Sequence, residues 1–439
     1  MSTAATARNL DLPNALADAR ARYARANPAS EQAYQHACQS LPSGNTRTIL
    51  YYPPFPLTIA RAQGATVWDA DGHAYDDFVG EYSAGLYGHS HPVIMDAARQ
   101  ALDGGIVFCG PNRFESELAA LICARFASCD RLRFTNSGTE ANLLAITAAR
   151  AFTKRSDILV FDGGYHGGVL LFNTPGGNAV NAPYPFIRAP YNDIDGTLAL
   201  IEANHERLAA VLLEPMMGSA GAIPAERAFL AALREASTRH GIVLIFDEVM
   251  TSRLSPGGLQ QVHGVIPDMT TFGKYMGGGF TFGAFGGRTE IVDQFDPRRA
   301  DALPHAGTFN NNVLTMAAGV AGLKQVWTEQ AASALNARGD RFREQIDALF
   351  KSRSFPAQAT GTGSMLAIHP TAAPIRSPRD LAHIDADAKA LLQIELLNAG
   401  CYVGRMGLMS LSLPLEERAY DAFLAALEGF VQTYAGLWK

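Results

Sequence analysis

Apolar positions along this chain follow two rhythms, and the change between them divides it. Residues 13–27 carry Ala, Leu and Arg at helical spacing and end at Asn27-Pro28; a second helical stretch follows over 31–40. A loop rich in Pro, Gly and Asn covers 41–56. The segment 65–73 reads as a strand, a turn at Asp71-Gly72 and the start of another strand. From about residue 115, helices alternate with short apolar strands. A helical pattern spans 138–152, and strands are expected at 158–161, 210–213 and 242–246. The last two are unbroken apolar runs, the pattern of parallel strands covered on both faces. Glu214 follows the first and Asp247 the second. Open α/β sheets bind ligands beyond the carboxyl ends of their strands, so these two carboxylates mark where chemistry is expected.

Beyond about residue 325 the pattern is mainly helical, with a β-like stretch at 408–413 and a helix at 416–434. The architecture expected is α/β: a large domain over 70–325 with a mostly parallel sheet flanked by helices. A small α+β domain would be built from both chain ends, 1–69 and 326–439, since neither end is large enough to fold alone.

Composition narrows the function. With 439 residues, 48% of them hydrophobic, the chain can bury more than one core. Net charge is −6 and no Lys/Arg block occurs, which argues against nucleic acid as a partner; Arg298-Arg299 reads as a solvated turn. No apolar run approaches the roughly 18 residues of a membrane span. Residues 1–10 contain Arg8 and no continuous apolar stretch, so no secretory signal is expected. The five cysteines are scattered, with neither zinc-site nor redox-pair spacing, and read as reduced thiols of a cytoplasmic protein. His89-Ser90-His91 has no carboxylate or cysteine cluster beside it and reads as a His/Pro turn, so no metal is expected.

Four segments carry chemistry. Thr135-Asn136-Ser137-Gly138-Thr139-Glu140 is a polar turn feeding a helix, which gathers free N–H groups, the positive helix end and hydroxyls into a phosphate site; an ordinary N-cap is the plainer alternative. Asp162-Gly163-Gly164-Tyr165-His166-Gly167-Gly168 follows a strand, and its glycines let an aromatic ring lie against a ligand. Asp247 at a strand end can fix a cationic ring nitrogen. Lys274 stands between a strand and the run Gly277-Gly278-Gly279. A lysine in such apolar company is disfavoured as a cation unless paired or chemically modified, which suits a Schiff-base lysine. It is not a nucleotide-binding P-loop lysine: Asp268 and Tyr275 stand where that motif needs Gly and Ser/Thr.

Phosphate donors, a stacking aromatic, a carboxylate for a pyridine nitrogen and a lysine for an aldehyde are together the four handles of pyridoxal 5′-phosphate. With these residues the chain resembles the class III aminotransferases of fold type I over almost its whole length. Ser-Gly-Thr-Glu-Ala-Asn (137–142), Tyr-His-Gly (165–167), Asp-Glu-Val-Met-Thr (247–251), Phe-Gly-Lys (272–274) and Gly-Thr-Phe (307–309) occur in the family's order and spacing. The resemblance implies that Lys274 bonds the cofactor aldehyde and serves as base and acid. It implies Asp247 as partner of the pyridine nitrogen, which keeps the ring an electron sink. Ser137, Gly138 and Thr139 resemble phosphate ligands, Tyr165 and Val249 the residues on the two ring faces, and Glu214 a polar support on the ring-hydroxyl side. Thr308 resembles the residue that reaches the phosphate of the neighbouring subunit, which implies a homodimer with shared sites.

Two groups within the family fit: the glutamate-1-semialdehyde aminomutases and the β-phenylalanine aminotransferases. Both have an arginine after a Pro-Gly-Asn-rich loop, here Arg47, suited to a substrate carboxylate. Tyr51-Tyr52-Pro53-Pro54-Phe55-Pro56-Leu57-Thr58 resembles the aminotransferase group and is expected to supply apolar surface for an aromatic side chain. Ser252-Arg253-Leu254 stands where the aminomutases have Gly-Phe-Arg, and Asn310-Asn311-Asn312 also matches the aminotransferases. One departure is the C-terminal loop, where the position of the group's second arginine is Met406, with Arg405 one residue earlier. The reading is therefore transamination from an aromatic β-amino acid to a 2-oxo acid, with the aminomutase as the alternative. A non-catalytic cofactor-binding protein is disfavoured by the intact Lys274 and Asp247.

Overall fold

The computed structural model describes residues 11–174, 177–405 and 407–437. Its central sheet has seven strands in the order Arg131–Thr135, Gly283–Gly287, Met269–Gly273, Val243–Asp247, Leu208–Leu213, Asp157–Phe161 and Phe186–Ala189. All run parallel except Gly283–Gly287, which is antiparallel to both of its neighbours. The unbroken apolar runs have the cause expected of them. Successive side chains point to opposite faces, and both faces are covered. Leu159, Phe161, Leu244 and Phe246 pack with Phe229, Leu230 and Leu233 of the helix Arg227–His240. The intervening Ile158, Val160, Val243 and Ile245 pack on the other side with Ala141, Ala145, Ala148 and Ala149 of the helix Gly138–Thr153.

The chain ends meet in space. The first helix, Leu12–Ala26, is N-capped by Asp11 and lies against Ala386–Asn398; the Arg22–Glu395 ion pair and an Asn398 Nδ2 bond to the Ala19 carbonyl (3.3 Å) join them. Ile59–Gln63, Thr66–Asp69, Ala74–Asp77 and Cys401–Tyr402 form one small sheet, so one of its strands, Ala74–Asp77, comes from the range 70–325. A second small sheet, Gln358–Thr362, Met365–His369 and Leu408–Ser410, corrects the mainly helical reading of this region. Its hairpin turns at Gly363 (φ 55°), and Gly361 (φ 124°) stands within the first strand; two such glycines in a polar stretch hide the strand pattern. The β-like stretch at 408–413 is a strand only as far as Ser410. Arg253, fully buried, ties the layers: its guanidinium donates to Ser364 Oγ (3.2 Å) and to the carbonyls of Ser83 (3.4 Å) and Leu411.

Among the described residues no helix is long and apolar enough to cross a membrane. Among them, too, no group of His, Cys, Asp and Glu is arranged to hold a metal ion. His89 Nε2 instead lies 2.9 Å from Asp77 Oδ2.

Candidate active site

Asp247 is the last residue of its strand and is buried. Its Oδ2 accepts from Asn142 Nδ2 (2.8 Å) and lies 2.8 Å from His166 Nδ1; its Oδ1 accepts from the Val249 N–H (3.0 Å). Strand register places Thr271 opposite Asp247, with Thr271 Oγ1 3.4 Å from Oδ1. That hydroxyl has one hydrogen and a shorter contact to Asn142 Oδ1 (2.8 Å), so Asp247 Oδ1 keeps acceptor capacity for another donor. The carboxylate is thus fixed in orientation from a helix, a loop and the turn that follows its own strand, with one oxygen still able to accept.

Lys274 follows the strand Met269–Gly273 and takes φ 56°, the left-handed region that is strained for a residue with a side chain. Burial pushes its ammonium below the usual lysine range; Asp247, Glu81 and Glu214 pull it up, and Arg47 adds to the depression. Val249 is wedged beside it. A Cβ on Gly138 would lie 2.8 Å from Val249 Cγ2, and one on Gly273 2.9 Å from Val249 Cγ1, so both positions require glycine to leave the valine in place.

Ser137 caps the helix Gly138–Thr153, its Oγ accepting from the Glu140 N–H (3.2 Å). The N–H groups of Gly138 and Thr139 precede any intrahelical carbonyl and remain for an anion. Thr139 Oγ1 accepts from the Gly168 N–H (3.2 Å), and a Cβ on Gly167 would sit 2.1 Å from that oxygen. The Tyr-His-Gly turn therefore packs directly on the helix start. Glu214 fixes the same turn: Oε1 accepts from the Tyr165 N–H (3.0 Å) and Oε2 from the Gly218 N–H (2.9 Å). Burial first, with Asp247 adding to it, raises the Glu214 carboxyl to about 7, while His166 opposes the rise. Tyr165 is 40% exposed, a large ring left open above this floor.

Arg47 is exposed, ion-paired to Glu81, with its guanidinium carbon 5.5 Å from the Tyr82 ring centroid. Glu81 and Tyr82 belong to a run of four positive φ angles, Gly80 (51°), Glu81 (45°), Tyr82 (51°) and Ser83 (79°). Left-handed residues normally occur singly, so this turn is held by tertiary contacts. A Cβ on Gly80 would lie 2.3 Å from the Ser410 carbonyl oxygen, and the Ser83 carbonyl accepts from Arg253. Arg405 is also exposed, and its Nη1 donates to the Tyr51 carbonyl (3.3 Å). Met406 lies outside the described residues. Tyr82 feels the charge of both Arg47 and Arg405.

Tyr52 and Phe55 do not offer open aromatic surface, which corrects that expectation: both are buried in the core. The Tyr52 hydroxyl accepts from the Leu57 N–H (2.9 Å) and meets Tyr23 Oη (3.2 Å). Thr308 lies exposed in a turn whose Asn310 accepts from Asn136 Nδ2 (2.9 Å). Asn312 caps the helix Val313–Ala321, and Asn311 Nδ2 donates to Glu115 (2.9 Å), so each of the three asparagines has its own anchor. Sequence reasoning assigns no role to His166, Asn142, Glu81 or Tyr82. The first two lie inside recognised motifs; the last two have no local signal beyond Gly80.

A floor of N–H groups, an open aromatic, a wedged valine, an oriented carboxylate with spare acceptor capacity and a lysine of lowered basicity suit pyridoxal phosphate at each handle. Residues 51–416 match the model of the aminotransferase class-III family, and the chain belongs to that pyridoxal-phosphate-dependent family and is an aminotransferase. It is 49% identical to the β-phenylalanine transaminase of Variovorax paradoxus over 97% of this chain and 98% of that protein. The solved structure of a β-phenylalanine aminotransferase from that organism superposes with a TM-score of 0.96, covering 97% of this chain and 99% of that one at 49% identity. A glutamate-1-semialdehyde 2,1-aminomutase of Citrifermentans bemidjiense is 36% identical over 86% of this chain and 92% of its own length.

Proposed function

We propose that this enzyme transfers the amino group of an aromatic β-amino acid, such as β-phenylalanine, to a 2-oxo acid such as 2-oxoglutarate or pyruvate, in two half-reactions. The observation that carries the reading is Lys274, of lowered basicity, within the electrostatic reach of an Asp247 fixed by Asn142 and His166. The near full-length likeness to a β-phenylalanine transaminase supports the substrate class.

When bound, pyridoxal phosphate supplies an aldehyde that takes up the amino group and a protonated ring that withdraws electrons from the substrate carbon. Asp247 would hold the ring nitrogen, its Oδ1 being the oxygen with spare acceptor capacity. Ser137, Gly138 and Thr139 would hold the phosphate, Tyr165 and Val249 the ring, and Glu214 would support the hydroxyl side through the Tyr165 turn. Lys274 would hold the aldehyde and, as a neutral amine, would serve as the base and acid that moves a proton at the substrate. Arg47 binds the substrate carboxylate in exchange for Glu81, with Tyr82 beside it as apolar surface, and Arg405 serves the second carboxylate of the acceptor.

The same reading has Thr308 reaching the phosphate of a second subunit in a cytoplasmic homodimer; its exposed turn, with Phe309 61% exposed, and the exposed Ile106, Val107 and Phe108 support that. It keeps the division into 1–69 with 326–439 and 70–325. The test is a single half-reaction. Racemic β-phenylalanine alone converts the absorbance of the pyridoxal form to that of the pyridoxamine form, and 2-oxoglutarate reverses it. A response to glutamate-1-semialdehyde in place of β-phenylalanine overturns the proposal in favour of the aminomutase, and silence to both leaves the donor unassigned.

A further inference from the structure

Away from this site, two thiols that no sequence motif pairs come together. Cys123 lies in the last turn of the helix Arg113–Arg125 and Cys129 just before the strand Arg131–Thr135; their Sγ atoms are 3.7 Å apart. The turn between them is firmly seated. The Phe126 N–H closes the helix on the Ile122 carbonyl, and the Phe126 ring packs on Phe272 with centroids 4.7 Å apart. Ser128 donates its N–H to Gln260 Oε1 (3.2 Å), and its hydroxyl meets Thr270 Oγ1 (2.7 Å). The Cys129 N–H bonds the Phe126 carbonyl (2.9 Å). Gly286 makes room for the buried sulfur: a Cβ there would lie 2.3 Å from Cys129 Sγ. Forming a disulfide requires the sulfurs to close by about 1.7 Å, within reach of side-chain rotation about a fixed turn.

We infer that Cys123 and Cys129 are a peroxide-reactive thiol pair that forms a reversible intrachain disulfide. Cys123 is the partly exposed member and Cys129 the buried one, which sets the order of events. The Cys123 thiolate attacks the peroxide, breaking its O–O bond, and becomes a sulfenic acid with release of water or an alcohol. Cys129 Sγ then attacks that sulfur, displacing the hydroxyl as a second water, so two electrons pass from the two thiols to the peroxide. The direction of the thiol shifts agrees: the hydrogen bond from Cys129 lowers Cys123, while that same contact and burial raise Cys129. The adjacent resolving thiol intercepts Cys123 before it reaches sulfinic acid.

The test uses the reduced holoenzyme treated with hydrogen peroxide, alkylated and digested with trypsin without reductant. Arg125 separates the cysteines, so the expected product is the peptide 114–125 joined to 126–131, released by dithiothreitol. A wild-type enzyme in which Cys123 accumulates two or three oxygens, or both thiols alkylate intact while the exposed Cys38 and Cys109 oxidise, overturns the inference. Cys129→Ser provides the second readout. Dimedone labels the Cys123 sulfenic acid at least ~10-fold more in this variant than in wild type, the ratio expected when a neighbouring thiol normally removes that acid. Equal labelling means that Cys129 resolves nothing.

Discussion

Glu214 offers a test in which sign and size both follow from geometry. Its carboxyl is raised from 4.5 to about 7, chiefly by burial, although two backbone N–H groups stabilise the charged form. At about 1.4 kcal/mol per unit, that rise corresponds to about 3 kcal/mol between the two protonation states. Between pH 4.5 and 7 the folded chain holds this proton and the unfolded chain does not. Folding stability from Glu214 is therefore fully present below 4.5, falls as pH rises, and is gone above 7. Glu214→Gln removes the titration. Its amide has one carbonyl for two donors, the N–H groups of Tyr165 and Gly218, so one is left unpaired at a pH-independent cost of about 1–3 kcal/mol. Urea denaturation of cofactor-free wild type and variant, followed by circular dichroism at fixed protomer concentration, measures the difference. The variant is less stable at pH 4.5; by pH 8 the gap has narrowed by about 3 kcal/mol or reversed. A gap constant across that range refutes the argument, because a group that ionises freely in the fold gives no such slope.

Lys274→Ala abolishes turnover, while circular dichroism shows an unchanged fold and equilibrium dialysis shows cofactor still retained through the phosphate floor; full activity in this variant would sink the site. Arg47→Ala raises KM for β-amino acids about 10-fold or more, matching loss of a charge-assisted pair of about 1.5–3 kcal/mol, with kcat less affected. Amines lacking a carboxylate are unchanged, and an equal loss for both donors would make the arginine structural. Asn142→Leu removes one hydrogen bond to a charged oxygen and two to neutral partners, so unfolding midpoints fall by the equivalent of about 2–4 kcal/mol and cofactor affinity drops with them. Unchanged affinity would show that Asp247 does not need Asn142 for its orientation.

What could be read from the chain and what could not differ in physical kind. Val243–Asp247 announces itself because a strand buried on both faces must be apolar throughout, and a carboxylate ending such a run has few structural reasons to be there. Gly283–Gly287 has the opposite character. Gly-Ala-Phe-Gly-Gly has the propensity of a loop, yet it is a central strand. Its glycines are set by neighbours far away in sequence: a Cβ would lie 2.2 Å from the Ser137 carbonyl oxygen at Gly283 and 2.5 Å from that of Asp268 at Gly287. The left-handed turn at Gly80–Ser83 is hidden for a related reason. Glu81, Tyr82 and Ser83 gain nothing locally from positive φ, and the Ser83 carbonyl is held by a guanidinium from residue 253.

The candidate site shows the same division at the scale of single bonds. Lys274 and Asp247 stand out by residue type against an apolar background, because a buried charge without a use is disfavoured. Their supports do not stand out. Asn142 at the start of a helix is equally consistent with a solvated turn, and His166 beside a glycine is equally consistent with a loop. Only the parallel order of 157–161, 208–213 and 243–247 brings both to the same carboxylate oxygen, each at 2.8 Å. Cys123 and Cys129 extend the point: six residues apart is no motif, and only a helix that ends at Arg125 followed by an anchored turn faces the two sulfurs toward each other. Residue type announces groups that are costly to bury, whereas topology decides which inexpensive groups stand beside them. Sequence reading alone therefore finds the reacting atoms sooner than the groups that aim them.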